Sequence, residues 1–158
     1  MSGQLKIIWT FGLPKKQHHK FENYPIKICE SEVKKKQMKI KEIITVLEEM
    51  APLAYAEDFD NIGLLIGNKD TETSGILVCH DALENVIEEA ITKNCNLVVC
   101  FHPILFSGLK KITGANYVER ALIKAIKNDI AIYAVHTALD NHSKGVNHIF
   151  ARALGLKD

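Results

Sequence analysis

The amino-acid sequence predicts an α/β fold, in which a largely parallel sheet is flanked by helices. The first observation is a set of short apolar runs of strand length, rich in Val, Ile and Leu, at residues 76–79, 96–100 and 130–135. The second is that segments with the apolar spacing of a helix separate these runs. Strands that alternate with helices in this way are typical of parallel sheets with right-handed crossovers.

The first expected elements follow Met38, where the sequence becomes regular. Apolar side chains recur at helical spacing over residues 39–50, opposite a charged face. Pro52 ends this helix because it cannot donate to the hydrogen-bond ladder. A polar turn at 55–61 then leads into a short strand at 63–67, ahead of the strand formed by the first apolar run.

The middle of the chain alternates regularly. Helical spacing predicts helices at 83–91 and at 116–128, and the strand at 96–100 lies between them. An irregular apolar and basic loop over 104–112 separates that strand from the second of these helices.

The last expected elements are a strand, a loop and a helix. The strand at 130–135 is followed by a short loop, and the helix runs over 145–154 with Gly155 as its C-cap. No strand pattern follows before Asp158. We therefore expect a truncated chain that holds the amino-terminal portion of a larger fold.

The first 37 residues are unlike the rest. They contain the only Trp and two of the four prolines, and they show no sustained helical or strand period. We therefore expect residues 1–37 to be an extension that is disordered or foreign to the fold, followed by a domain over residues 38–158.

Bulk properties argue against several classes of protein. A net charge of +1 gives no basis for broad binding of nucleic acid or of an anionic membrane surface. No apolar stretch approaches the ~18 residues that a membrane-spanning helix needs.

The four cysteines show no C-x-x-C spacing, and Cys79 and Cys100 fall in strands that we expect to be buried. Free buried thiols favour a cytoplasmic location.

Candidate metal ligands follow the expected strands. His102 stands directly after one strand and before Pro103, which favours extended backbone at His102. His136 and Asp140 follow the next parallel strand. Because the carboxyl ends of parallel strands share one edge of the sheet, we expect these side chains to converge. Imidazole and carboxylate groups gathered in this way indicate a divalent-metal site.

Each candidate also has a purely structural interpretation. His102 could be a hydrogen-bonded structural histidine, and Asp140 could be a loop aspartate or a turn cap. His136 could be a third ligand, an orienting partner or a core imidazole. His80, which Asp81 follows, ends a third strand and could face the same edge. The sequence has no nucleophile elbow, P-loop or dinucleotide fingerprint, so the catalytic residues stay unknown.

Several motifs share their order and spacing with one known family. They are Tyr-Ala-Glu-Asp-Phe-Asp-Asn-Ile-Gly-Leu at 55–64, His-Pro-Ile-Leu-Phe at 102–106, Leu-Lys-Lys-Ile-Thr-Gly at 109–114, and Ala-Val-His-Thr-Ala-Leu-Asp at 134–140 with Gly-Val-Asn at 145–147. On these motifs, residues 38–156 resemble the NGG-interacting-factor family, whose members are often labelled GTP cyclohydrolase 1 type 2 homologs. In the first motif, Phe59 stands where the family normally has Trp.

The resemblance implies the amino-terminal half of the family fold, a ring-shaped homo-oligomer that is commonly a hexamer, and two divalent metals per subunit. Family ligands are two consecutive histidines before a proline, the Asp of a His-Thr-x-x-Asp motif, and a distal His and Glu. Here the second histidine is His102 and the aspartate is Asp140. Phe101 takes the position of the first histidine, and the distal pair falls beyond Asp158.

The resemblance therefore predicts a divalent-metal-binding protein, with zinc, iron or manganese held by His102 and Asp140. His136 is expected to orient the site or to add a ligand. The expected activity is metal-assisted hydrolysis of an unidentified nucleotide-like small molecule. The alternative is a non-catalytic module with a degraded metal site, used for oligomerisation or for binding a regulatory protein partner. Phe101 favours that alternative, because it removes an expected ligand.

Overall fold

The computed structural model describes residues 7–10 and 38–156, and within them the chain forms one mixed sheet. The strands are β1 (Ile7–Thr10), β2 (Gly63–Ile66), β3 (Ile76–Asp81), β4 (Leu97–His102) and β5 (Ala131–Ala134). They lie in the order β1-β3-β4-β5-β2. All neighbours are parallel except β2 and β5, which are antiparallel. The predicted α/β class is confirmed, and its sheet has an antiparallel strand at one edge.

Helices flank the sheet. They are α1 (Ile40–Met50), α2 (Glu84–Thr92), α3 (Tyr117–Lys127), α4 (His136–Asp140) and α5 (Val146–Ala153), with a 3-10 turn at Leu53–Tyr55. The four helices predicted from apolar spacing are present within one or two residues of their expected bounds. No helix among the described residues is long and apolar enough to cross a membrane.

The short helix α4 replaces the loop that we expected after the last parallel strand. The carboxylate of Asp60 accepts a hydrogen bond from the backbone N–H of Thr137 in the first turn of α4, at 3.2 Å. This contact caps the helix in the way that an N-cap side chain does. The sequence prediction was wrong here because the capping residue lies 77 positions away and leaves no local signal.

Two hydrophobic layers cover the two faces of the sheet. Alternate residues of the central strands point to opposite faces, as the period of a strand requires. On one face Leu77, Val98 and Ile132 pack with helices α2 and α3. On the other face, Leu97 and Tyr133 pack against α1. The interior strands are thus buried on both sides, and polar groups gather only at their ends.

The cysteines that the structure describes are buried. Cys79 and Cys100 face the α2 and α3 layer, as predicted. Burial raises the pKa of Cys79 to about 12, so the thiol stays protonated at neutral pH. Burial also raises the pKa of Cys100. Both residues therefore act as small apolar side chains of the core.

One segment of the predicted extension belongs to the sheet. Ile7–Thr10 form the edge strand β1, which pairs with β3. The other residues of 1–37 lie outside the described part of the chain. The division into an extension and a domain over residues 38–158 therefore stays a prediction, with the difference that four residues of the extension form a strand.

The last helix, α5, ends as the sequence predicts. Gly155 has a positive φ of 76°, and its N–H bonds to the carbonyl of Arg152. The N–H of Leu156 reaches the carbonyl of Ala151, which completes a Schellman motif. Within the described residues, none of the side chains of α5 is buried. Its apolar surface therefore faces solvent in the described part of the molecule.

Candidate metal centre

The carboxyl ends of the three central parallel strands bring the predicted residues to one edge of the sheet. The register pairs Cys79 of β3 with Cys100 of β4, and Asp81 with His102. It also pairs Cys100 with Ala134 of β5, two residues before His136. The ring centroids of His102 and His136 are 5.4 Å apart. The convergence expected from strand order is therefore present for these two histidines.

His80, Asp81 and His102 form a compact cluster at this edge, which we call the β3–β4 cluster. Nδ1 of His102 donates to Oδ1 of Asp81 at 2.8 Å, and Nδ1 of His80 donates to Oδ2 of Asp81 at 3.1 Å. The two imidazole centroids are 4.3 Å apart. Among the described residues, this is the group of three potential ligands whose donor atoms all lie within 4.8 Å of one another.

The β3–β4 cluster is open to solvent. The exposed side-chain fractions of His80, Asp81 and His102 are 59%, 47% and 44%. Desolvation pulls the pKa of Asp81 upward, but hydrogen bonds from His102 and His80 outweigh it and hold the pKa below its usual value. The carboxylate is therefore ionised across the physiological range, and ions in solution can reach all three side chains.

A second imidazole–carboxylate pair lies beside the first and is buried. Nδ1 of His136 lies 2.9 Å from both carboxylate oxygens of Asp60. The exposed side-chain fractions are 18% for His136 and 0% for Asp60. The hydroxyl of Thr137 and the backbone N–H of Asn61 also donate to this carboxylate. Asp60 is thus surrounded by donors that fix its position.

The environment of Asp60 keeps it charged and fixes the tautomer of its histidine. Desolvation alone would raise the pKa of Asp60, but the hydrogen bonds from Thr137 and His136 lower it below the usual value. Because a carboxylate only accepts, Nδ1 of His136 carries the proton and Nε2 is left as the acceptor of the neutral ring. His136 also has a φ of +23°, a strained backbone conformation that these contacts hold in place.

Phe101 lies between the histidines of both pairs. Its ring stacks on His80 at 5.4 Å with an interplanar angle of 10°. It meets His102 and His136 edge-on, at centroid distances of 5.0 Å and 5.5 Å. An apolar ring therefore contacts all three imidazoles, at the position where the resemblance places a histidine ligand.

A cavity of about 520 Å³ opens beside the two pairs. Asp81, His102 and His136 line it together with Phe106 and Tyr117. A lining that combines charged, imidazole and aromatic groups suits a small molecule with a flat ring and polar substituents.

Glu119 anchors the turn over residues 113–116, from which Asn116 lines this cavity. Its side chain is buried and accepts hydrogen bonds from the backbone N–H groups of Thr113 and Ala115, at 2.8 Å and 2.9 Å. These bonds lower the pKa of Glu119 to about 2. Asn116, which lines the cavity, caps α3 by accepting from the N–H of Glu119. The irregular loop expected over 104–112 is therefore followed by a firmly anchored turn.

The sequence-predicted residues are placed unequally. His102 belongs to the β3–β4 cluster, whereas Asp140 ends α4 and lies outside that cluster. His136 lies beside the cluster and is bonded to Asp60. Asp60 was missed as a partner. Its only sequence signal is its place in the motif at 55–64, and nothing in the spacing links it to a histidine 76 residues away.

Comparison with known proteins identifies related sequences. The profile of the family Duf34/NIF3 (NGG1p interacting factor 3) matches residues 38–158. A GTP cyclohydrolase 1 type 2 homolog of Clostridium acetobutylicum is 39% identical over 118 residues, which are 75% of this chain and 44% of the relative. A protein of the same description from Staphylococcus aureus is 40% identical over 121 residues, which are 77% of this chain and 33% of the relative. The chain thus spans less than half the length of these relatives.

Solved structures agree with the sequence comparison. A Bacillus cereus protein related to NIF3 superposes with a TM-score of 0.72 at 40% identity, over 78% of this chain and 34% of that protein. Reduced HcgD from Methanocaldococcus jannaschii superposes with a TM-score of 0.71 at 34% identity, over 77% of this chain and 48% of that protein. Sequence and fold therefore point to the same group of proteins, and the resemblance predicted from the motifs is confirmed.

Proposed function

The chain belongs to the Duf34/NIF3 family, and from this premise we propose that it binds a divalent metal ion around His102. The observation that carries the proposal is the hydrogen bond from Nδ1 of His102 to Asp81, at 2.8 Å. This contact brings an imidazole nitrogen and a carboxylate oxygen together at an exposed position, and ions of the zinc class accept both kinds of ligand.

The two-metal ligand set implied by the family does not fit this chain. Phe101 has no donor atom, and its ring packs against the neighbouring imidazoles. A single ion fits better, because the groups near His102 offer imidazole nitrogen and carboxylate oxygen. Zinc, iron and manganese all accept such donors. Asp140 remains the predicted second ligand on the strength of the motif alone.

We propose that the site serves hydrolysis of a nucleotide-like small molecule, as the description of the relatives as GTP cyclohydrolase 1 type 2 homologs suggests. A bound divalent metal would supply a Lewis acid that polarises the substrate and acidifies water. His136 would accept or return a proton at Nε2, since Asp60 occupies its Nδ1. The rings of Phe106 and Tyr117 would hold the flat part of the substrate in the cavity.

The alternative proposal is a non-catalytic module that oligomerises or binds a regulatory protein. It is supported by α5, on which Ile149 and Phe150 are 63% and 64% exposed. Exposed apolar groups of this size are typical of surfaces that contact another protein. A cytoplasmic homo-oligomer is compatible with both proposals. Light scattering of the purified chain tests the oligomer, and a monomer at all concentrations would contradict it.

Elemental analysis of the purified full chain tests the metal proposal. We expect about one divalent metal ion per chain after dialysis without chelator, and loss of this metal in His102→Ala. Asp140→Ala reports separately on the ligand predicted from the motif. A folded wild-type protein without metal, which also takes up none from added zinc, manganese or ferrous iron, would overturn the proposal. A metal-loaded protein should then be screened for hydrolysis of purine nucleotides.

A further inference from the structure

We infer that His80 and Asp81 complete the ligand set of His102, so that the β3–β4 cluster binds a single divalent cation of the zinc class. The inference rests on the proposed metal binding at His102. It goes further because neither His80 nor Asp81 occupies a ligand position implied by the family. It also assigns the site to two neighbouring strands rather than to His102 and Asp140.

The spacing of the donor atoms is close to what one cation needs. Two atoms bound to the same tetrahedral metal at about 2.1 Å lie about 3.4 Å apart. In the β3–β4 cluster, the carboxylate oxygens of Asp81 lie 2.8 Å and 3.1 Å from the ring nitrogens of His102 and His80. The set of donor atoms spans no more than 4.8 Å. Small rotations of exposed side chains suffice to close this set around an ion.

The strand register explains why these three residues meet. Asp81 and His102 are direct partners on β3 and β4. His80 is the residue before Asp81, and its imidazole reaches the same strand ends, 4.3 Å from that of His102. Rigid strands therefore carry the ligands, and a site on rigid elements loses little entropy when it binds.

Phe101 supports the inferred site although it removes a ligand from the family set. Its ring stacks on His80 at an angle of 10° and limits how that imidazole can turn. The same residue that leaves one expected ligand position without a donor thus orients a different histidine. His80 offers an imidazole that compensates for the missing one.

The inferred site also borders the cavity. Asp81 and His102 line the cavity wall, so a ligand in the cavity lies against two of the three groups. Three protein ligands are the usual number in catalytic zinc sites, whereas structural zinc normally has four. The β3–β4 cluster therefore has the ligand number of a site that keeps a coordination position for another molecule.

The competing explanation is an exposed network of two salt bridges that binds no ion. Both explanations predict hydrogen bonds among the three side chains, so a substitution studied without metal does not distinguish them. Calorimetric titration of the full chain with zinc chloride distinguishes them, because only the inferred site binds the ion. We expect one saturable binding event with about one zinc ion per chain, in which the ion replaces the hydrogen bonds now made to Asp81 by His80 and His102.

The variants His80→Ala, His80→Gln, Asp81→Asn and His102→Ala should each weaken zinc binding by at least about tenfold. The matched control is His148→Ala, since His148 lies on α5 away from the cluster. A second readout is the ring nitrogen NMR shifts of labelled histidine, in which His80 and His102 should respond to zinc and His148 should not. Circular dichroism confirms that each variant is folded.

The outcomes separate the inference from the proposed function. If zinc binding is lost in His102→Ala and Asp140→Ala but is unchanged in both His80 variants, the inference is wrong and the proposed function stands. If the wild-type chain binds no zinc, manganese or ferrous iron, both are wrong. Loss in the His80, Asp81 and His102 variants with full binding in Asp140→Ala and His148→Ala supports the inference.

Discussion

Two imidazole–carboxylate pairs stand side by side at one edge of the sheet, and they differ in almost everything except their geometry. His102 bonds to Asp81 at 2.8 Å, and His136 bonds to Asp60 at 2.9 Å. The first pair is exposed and the second is buried. The same two chemical groups can therefore serve opposite purposes, and the solvent around them decides which.

The difference follows from the cost of breaking the hydrogen bonds of each carboxylate. Water can replace the partners of Asp81, so its bonds break at little cost and a cation can take their place. Asp60 has no such replacement, because its side chain is inaccessible and several protein donors point at it. Breaking that arrangement leaves buried donors without an acceptor. The buried pair is suited to fixing a histidine, and the exposed pair to binding.

The largest expected effect is on stability, and it distinguishes the buried pair from the exposed pair directly. Asp60→Ala should lower the free energy of unfolding by about 2–4 kcal/mol, because the donors of His136 and Thr137 are stranded. Asp81→Ala should lower it by less than about 1 kcal/mol. Urea denaturation measures both, with the exposed Asp58→Ala as the control. Equal losses at residues 60 and 81 would contradict the distinction.

The next effect concerns stabilisation by zinc. At about 100 times its dissociation constant, zinc should raise the unfolding free energy of the wild-type chain by about 2.7 kcal/mol. With affinity weakened 100-fold in Asp81→Ala, the same zinc concentration should contribute only about 0.4 kcal/mol. Asp70→Ala is a matched control, since Asp70 also forms an exposed ion pair, with Lys41. A similar gain in both variants would argue against the site.

A substitution at Phe101, which contacts the histidines of both pairs, should change how strongly the strand ends bind a cation. Phe101→His places an imidazole beside those of His80, His102 and His136, whose ring centroids lie 5.0–5.5 Å from that of Phe101. We therefore expect divalent-metal affinity to rise about tenfold, or about 1.4 kcal/mol. Phe59→His is the control, because Phe59 is exposed and its ring contact is with Phe106. Calorimetry measures both. An unchanged affinity in Phe101→His would show that the strand ends do not hold a cation together.

The smallest effect is the dependence of stability on pH. Asp60 and Asp81 both have a folded-state pKa below the ordinary value of 3.8. Their contribution to stability is therefore complete above that value, and it is lost as pH falls through the lower folded-state pKa. Unfolding curves between pH 5 and 2 should show a shallower acid decline in Asp60→Asn than in the wild type. Asp81→Asn should change the decline less, because solvent screens its partners.

Features written in local sequence were predictable. Apolar spacing predicted the strands that end at the site, and the rule that parallel strands share an edge predicted that His102 and His136 converge. His80 and Asp81 could be placed at a third strand end. Their contact with His102 could not be predicted, since it depends on the register between β3 and β4.

The remaining features depend on tertiary contacts. The bond between Asp60 and His136 joins residues 76 positions apart, and no periodicity links them. Asp60 also accepts a hydrogen bond from the N–H of Thr137 in the short helix α4, and this contact likewise has no local sequence signal. The antiparallel placement of β2 beside β5 likewise follows from packing at the sheet edge rather than from the pattern of Gly63–Ile66.

The two pairs also differ in the length of chain that each one closes. Asp81 and His102 are 21 residues apart, and one helical crossover brings them together. Asp60 and His136 are 76 residues apart, and the chain between them includes β2, which lies on the far side of β5. Closing the longer loop costs roughly 1 kcal/mol more chain entropy. The exposed pair therefore forms at a lower cost in chain entropy than the buried pair, which is held by the larger number of donors around Asp60.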